Sequence, residues 1–217
     1  MLIITGVGRS GTSVLALWLK RCGIHVNGVW IPSHEAGLED VQAAGVNDLL
    51  DEGLSDEAAL AAIAPVRAKV IKDPRFTRDP FRKFMLWNHC HPYIKVLLTH
   101  RNPADAVASR ARRELYYWSS PLEAQLAFAE TICALEEYEI PWRMLMFPHF
   151  LDRFEQVYEA TAELLEGLAP SRAKAREAWN DTVDMTCVHE FESVIEPPLE
   201  LPDTGSRWRA RDFTYAR

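Results

Sequence analysis

The chain has 217 residues, 48% of them apolar and 25% charged, with a formal net charge of -7, which suits one α/β domain with a sizeable core. An acidic balance of this size excludes broad nucleic-acid binding, which needs a basic face. Cys22, Cys90, Cys133 and Cys187 show neither metal-ligand spacing nor a disulfide framework, and so read as reduced thiols of a cytoplasmic protein with no part in catalysis.

In chain order, the first predicted element is a strand over residues 2–6. It runs through a glycine-rich turn into a helix over 12–22. Because an apolar run starts at Leu2 and ends at the turn, no signal peptide and no transmembrane anchor are expected here. Gly6, Gly8 and Gly11 allow a tight turn and a close approach of backbone to ligand, and the unpaired amides of the first helical turn point at any anion placed there. Arg9 adds a full charge to this anion loop. The spacing from Gly6 to Gly11-Thr12-Ser13 is that of a nucleotide-triphosphatase loop with Thr12 in the place of its lysine, which disfavours ATP chemistry. Gly6-x-Gly8-x-x-Gly11 also satisfies a dinucleotide fingerprint, for which Glu35 is a late acidic partner.

Further strands are predicted over 24–30, 68–72, 94–99 and 142–147, with helices over 39–51, 55–63, 78–88, 103–115, 121–138, 149–167 and 170–180. This alternation predicts a mostly parallel central sheet with helices on both faces and ligands beyond the carboxyl ends of the strands. One domain is expected over 1–195. A proline-rich and then basic and aromatic tail follows over 196–217 and is a candidate cover for the nucleotide site. After the strand ending at Thr99, Pro103 suits a first helical position, which puts Arg101 just before a helix and Ser109 about two turns inside it. An arginine and a hydroxyl so placed can share one phosphate dianion.

On these residues the chain resembles the sulfotransferases that use 3′-phosphoadenosine 5′-phosphosulfate (PAPS). Arg9-Ser10-Gly11-Thr12-Ser13 is similar to their 5′-phosphosulfate loop, and Arg101-x-Pro103 followed by Ser109 is similar to their 3′-phosphate site. Lys72-Asp73-Pro74-Arg75 is similar to a segment of bacterial members, so that the resemblance spans roughly residues 1–170. It implies a P-loop sulfotransferase fold and transfer of a sulfuryl group from PAPS, without a metal, to a hydroxyl or amine of a small-molecule, lipid or glycan acceptor. Gly8, Arg9, Ser10, Gly11, Thr12, Ser13, Arg101 and Ser109 would bind the donor, with Arg9 stabilising the departing phosphate. For the general base the resemblance points to the segment after the second strand, where Glu39, at an expected helix start, stands beside His34 and Glu35. Two other readings stay open: a nucleotide-dependent oxidoreductase using the glycine loop, and a non-catalytic binder of 3′,5′-bisphosphonucleotides.

Each candidate also has a plain structural reading. Arg101 alone would be a solvated cation, Glu39 a first-turn acid favoured by the helix dipole, and Asp73 and Arg75 an ion pair. Arg110, Arg112 and Arg113, with the aromatics after them, fit a helix end and its packing, or an acceptor-side lid.

Overall fold

The computed structural model of the protein describes residues 1–8, 10–27, 29–31, 37–39, 41–111 and 120–183. Its centre is strand β1 (Leu2–Gly6), buried at every position, as a run of five residues with no alternation of polar and apolar side chains requires. On one side β1 pairs in parallel with β5 (Val70–Lys72), and on the other with β6 (Lys95–His100). The short β2 (Val26–Asn27) lies outside β5, and β7 (Trp142–Met146) lies outside β6, all parallel. The resulting order is β2-β5-β1-β6-β7. This is the parallel α/β sheet that the alternating pattern predicted.

Helices cover both faces. Ile3, Ile71, Val96 and Leu98 point into a cluster with residues of α2 (Val41–Asp51), α3 (Asp56–Ile63), α4 (Pro80–Cys90) and α6 (Pro121–Glu137). Against the other face lie α1 (Thr12–Arg21), α7 (Phe154–Leu165) and α8 (Arg172–Asn180). Here Trp18 stands edge-on to Phe154 and Trp179, and its indole N–H donates to the Ala175 carbonyl at 2.9 Å. An aromatic cluster of this kind adds stability beyond its buried area, and the N–H bond removes the cost of burying the indole nitrogen. Ser55, Ser120 and Ser171 cap α3, α6 and α8 through their side chains.

Three segments differ from the sequence reading. The second strand is divided: β2 joins the main sheet, whereas β3 (Val29–Ile31) turns away to pair antiparallel with β4 (Gly37–Glu39). Glu39 therefore does not open a helix. It ends a strand opposite Val29, and α2 starts two residues later. The expected helix over 149–167 is a 3-10 turn at His149–Asp152, then α7, then a second 3-10 turn at Glu166–Leu168. The first break comes at Arg153, whose backbone is not helical, between the buried Leu151 and Phe154. Residues Met1–Asp184 form one compact unit. The domain limit expected at 195, the tail after it and residues 112–119 lie outside the described residues. Among the described residues, no helix is long and apolar enough to cross a membrane.

Candidate functional site

The carboxyl ends of β1 and β6 lie side by side, with Gly6 in register with Thr99. A Cβ on Gly6 would stand 2.3 Å from both the carbonyl and the hydroxyl oxygen of Thr99, so only glycine lets the two strands close here. The Thr99 hydroxyl donates to the Thr5 carbonyl at 3.2 Å and lies 2.7 Å from the Ser10 hydroxyl. Since Thr99 has one proton and gives it to Thr5, Ser10 is the donor in the second contact. Ser10 is fully buried. Its hydroxyl therefore fastens the glycine turn to β6, and its backbone amide is the group left for a ligand.

Gly11 then adopts the left-handed conformation at φ 87° and starts α1 with no side-chain cap. Val14 and Leu15 both donate to its carbonyl, at 3.1 and 3.5 Å. The amides of Thr12 and Ser13 precede any intrahelical acceptor and carry the positive end of the helix dipole. Space at Gly11 is as restricted as its backbone: an added Cβ would meet Phe147 Cδ2 at 2.5 Å and Phe150 Cζ at 2.7 Å. At Gly8, by contrast, an added Cβ would meet no described atom within 4 Å. The loop is thus packed against β6 at Gly6 and against Phe147 and Phe150 at Gly11, with room among the described residues at Gly8. Arg9 lies outside the described residues, as do His34 and Glu35.

The second expected anion position stands beside the first. Arg101 follows β6 and is buried, and its guanidinium lies 5.1 Å from the centre of the Phe147 ring, the same ring that presses on Gly11. The Phe147 amide donates to the His100 carbonyl at 2.7 Å, which fixes the ring to the end of β6. Helix α5 (Pro103–Ala111) begins after Asn102, whose side chain accepts from the Ala104 amide at 2.9 Å. Ser109 lies in this helix and is buried. The structure therefore puts Gly11, at the start of α1, and Arg101, directly after β6, against one aromatic ring, a connection that the sequence did not disclose. Phe147 and Phe150 were missed, and the only signal for them was an aromatic pair directly after the last strand.

Within Lys72-Asp73-Pro74-Arg75, Asp73 and Arg75 form the ion pair of the structural reading. Asp73 is fully buried and accepts from Asn47 Nδ2 at 2.7 Å, from the Arg75 amide at 2.9 Å and from Arg75 Nη1 at 3.3 Å. It caps the 3-10 turn Pro74–Thr77, while Arg75 also pairs with Asp48 of α2 at 2.6 Å. The buried Lys83 of α4 bonds to Asp51 and to the Arg75 carbonyl, and burial lowers its pKa. These contacts clamp α2 and α4 to the end of β5. A buried carboxylate engaged in this way holds the scaffold together.

His100 is a further residue that the motifs did not single out. Its ring centre lies 4.0 Å from that of Phe128 on α6. Burial lowers its pKa, and Nδ1 is shut away from solvent with no hydrogen-bond partner among the described residues. A buried polar atom left in that state costs about 1–3 kcal/mol.

Glu39 is placed by its backbone alone, at the end of β4. Cys22, Cys90 and Cys133 are free thiols, and burial pushes Cys22 up to about 11, which makes it a poor nucleophile. No group of three or more His, Cys, Asp or Glu placed to hold a metal ion occurs among the described residues. No family model matches the chain, and no curated protein matches it.

Proposed function

We propose that the protein is a sulfotransferase that takes its sulfuryl group from PAPS. The observation that carries this reading is the placement of two anion-binding elements, the uncapped start of α1 at Gly11 and the Arg101-α5 junction, on the neighbouring strands β1 and β6, both in contact with Phe147. A nucleotide with phosphates at its 5′ and 3′ ends gives work to both. The donor set of backbone amides, hydroxyls and arginine suits phosphate oxygens.

PAPS supplies an activated sulfuryl group on a bisphosphate leaving group. The amides from Ser10 to Ser13 and the hydroxyls of Thr12 and Ser13 hold the 5′ end, and Arg9 carries the charge that balances the departing phosphate. Arg101 and Ser109 hold the 3′-phosphate. In the transfer a new bond forms from sulfur to the acceptor oxygen as the sulfur-to-phosphate oxygen bond breaks, and a base takes the acceptor proton. Positioning and charge stabilisation are the protein's main contributions, as in phosphoryl transfer. Glu39, His34 and Glu35 are the candidate bases, and the engagement of Asp73 by Asn47 and Arg75 supports leaving it out of the set.

The acceptor class in this proposal is a small molecule, lipid or glycan bearing a hydroxyl or amine, and the setting is cytoplasmic, which agrees with the free thiols. The experiment is transfer of radiolabelled sulfate from PAPS to a panel of such acceptors. Labelled product that disappears in Arg9→Ala supports the proposal. Tight binding of adenosine 3′,5′-bisphosphate without transfer to any acceptor makes the protein a bisphosphonucleotide binder instead.

A further inference from the structure

Phe147 is held at three points. Its amide donates to the His100 carbonyl at 2.7 Å, and its ring meets that of Phe150 at a centroid distance of 5.7 Å and an angle of 63°. Phe150 is in turn buried beside Trp179 of α8. The backbone of Gly11 closes the third side, since a Cβ there would stand 2.5 Å from Phe147 Cδ2. The Arg101 guanidinium lies over the ring so held, 5.1 Å from its centre. The face of an aromatic ring is the negative part of its quadrupole, so the contact attracts the cation and favours one placement of it. An arginine left free loses rotamer entropy when a ligand orders it, and one already seated loses less.

We infer that Phe147 is a positioning residue of the anion site: its ring seats the Arg101 guanidinium before a ligand arrives, and so sets how strongly the site prefers a nucleotide with a second phosphate. Arg101 supplies the charge for that phosphate and Phe147 the pre-organisation. The same ring also packs on Gly11, where the other anion position begins. Packing alone would act on both positions, whereas the cation–π contact acts on Arg101 only. The two roles therefore separate in the ratio of two affinities. The inference rests on the proposed nucleotide site for the identity of the ligand; the seating of Arg101 on the ring does not depend on it.

The test is calorimetry with adenosine 3′,5′-bisphosphate and adenosine 5′-phosphate on the full chain as wild type, Phe147→Leu and Phe147→Tyr. Leucine keeps an apolar side chain and removes the aromatic face. It is expected to lower the preference for the bisphosphate about fivefold and to leave the affinity for the 5′-phosphate within about twofold of the wild type. Phe147→Met serves instead should the leucine variant not fold. Tyrosine keeps the face and is expected to keep the preference. In an Arg101→Ala background, Phe147→Leu should lower the preference no further. Equal losses for the two nucleotides in Phe147→Leu would make Phe147 a packing residue only and overturn the inference, as would an unchanged preference. If the wild type binds both nucleotides equally, the nucleotide reading fails by itself, and inorganic phosphate becomes the probe, followed at the Arg101 Nε–H resonance by nitrogen-15 NMR. Weaker phosphate binding there in Phe147→Leu than in the wild type upholds the role of the ring without the nucleotide. Equal binding, or no response of Arg101 in the wild type, overturns it.

Discussion

The Ser10 hydroxyl lies 2.7 Å from the Thr99 hydroxyl, and this contact between the glycine turn and β6 joins the two expected anion positions into one construction. Thr99→Val keeps the shape and removes the acceptor, leaving a buried Ser10 hydroxyl unsatisfied at a cost of about 1–3 kcal/mol. Ser10→Ala removes both the donor and the need for it, and costs about 1 kcal/mol. Urea denaturation of the two single variants and the double variant should give a double loss smaller than the sum of the singles. Strict additivity would mean that the two hydroxyls do not interact in solution.

Gly11 and Phe147 should be coupled. Gly11→Ala combines a left-handed backbone, costing roughly 1–2 kcal/mol for a residue with a Cβ, with a contact of 2.5 Å against the Phe147 ring. Phe147→Ala relieves that contact, and neither the backbone term nor the contact with Phe150 Cζ at 2.7 Å. A double-mutant cycle should therefore give a coupling of about 0.5–3 kcal/mol in the relieving direction. Gly6→Ala should have no such rescue, because its Cβ would meet the backbone oxygen of Thr99 as well as side chains.

Asp73 should behave as a scaffold residue. Asp73→Ala strands the Asn47 amide and one partner of Arg75, and should cost about 3–5 kcal/mol, the range for breaking a buried charged contact. Asp73→Asn keeps part of the bonding and should cost less. Nucleotide affinity, measured by calorimetry on the Asn variant where it is folded, should remain near that of the wild type.

Much of the fold was readable because its central strands β1, β5 and β6 are buried on both faces. A strand in that position is a continuous apolar run, as in Leu2-Ile3-Ile4 and Val96-Leu97-Leu98, and its ends are marked by polar residues and glycine. The three-residue hairpin β3-β4 was not readable, since strands so short give no periodicity and the apolar run around Trp30 reads equally as a continuation of β2. The site was readable in its backbone and not in its walls. Glycine spacing and Pro103 announce turns and helix starts locally, whereas the seat of Phe147 against Gly11 depends on how β7 pairs with β6. The contact of the Ser10 hydroxyl was unreadable for the same reason: its partner, Thr99, belongs to another strand.

Stability should decline on the acid side of neutrality. Burial lowers the pKa of both His91 and His100 in the folded protein, and Arg67 and the amino terminus push His91 the same way, against the raising effect of its bond to the Ile63 carbonyl. The unfolded chain then binds more protons than the folded one once the pH falls below about 6.5, so stability is complete above that value and is lost as the pH drops toward the folded values. Denaturation midpoints between pH 5 and pH 8 should show this slope, and His100→Leu should reduce it. A slope of the opposite sign would mean that the rings gain a proton on folding.

The central claim, that the ends of β1 and β6 receive a nucleotide phosphorylated at both ends, is tested most directly by comparing the affinities of adenosine 3′,5′-bisphosphate and adenosine 5′-phosphate by calorimetry on the wild type and on Arg101→Ala. Loss of a charge-assisted contact typically costs about 1.5–3 kcal/mol. The account predicts that the bisphosphate binds the wild type at least about tenfold more tightly, and that Arg101→Ala removes most of this preference while leaving the affinity for the 5′-phosphate nearly unchanged. Equal affinity of the wild type for the two nucleotides, or a preference that survives in Arg101→Ala, would contradict it.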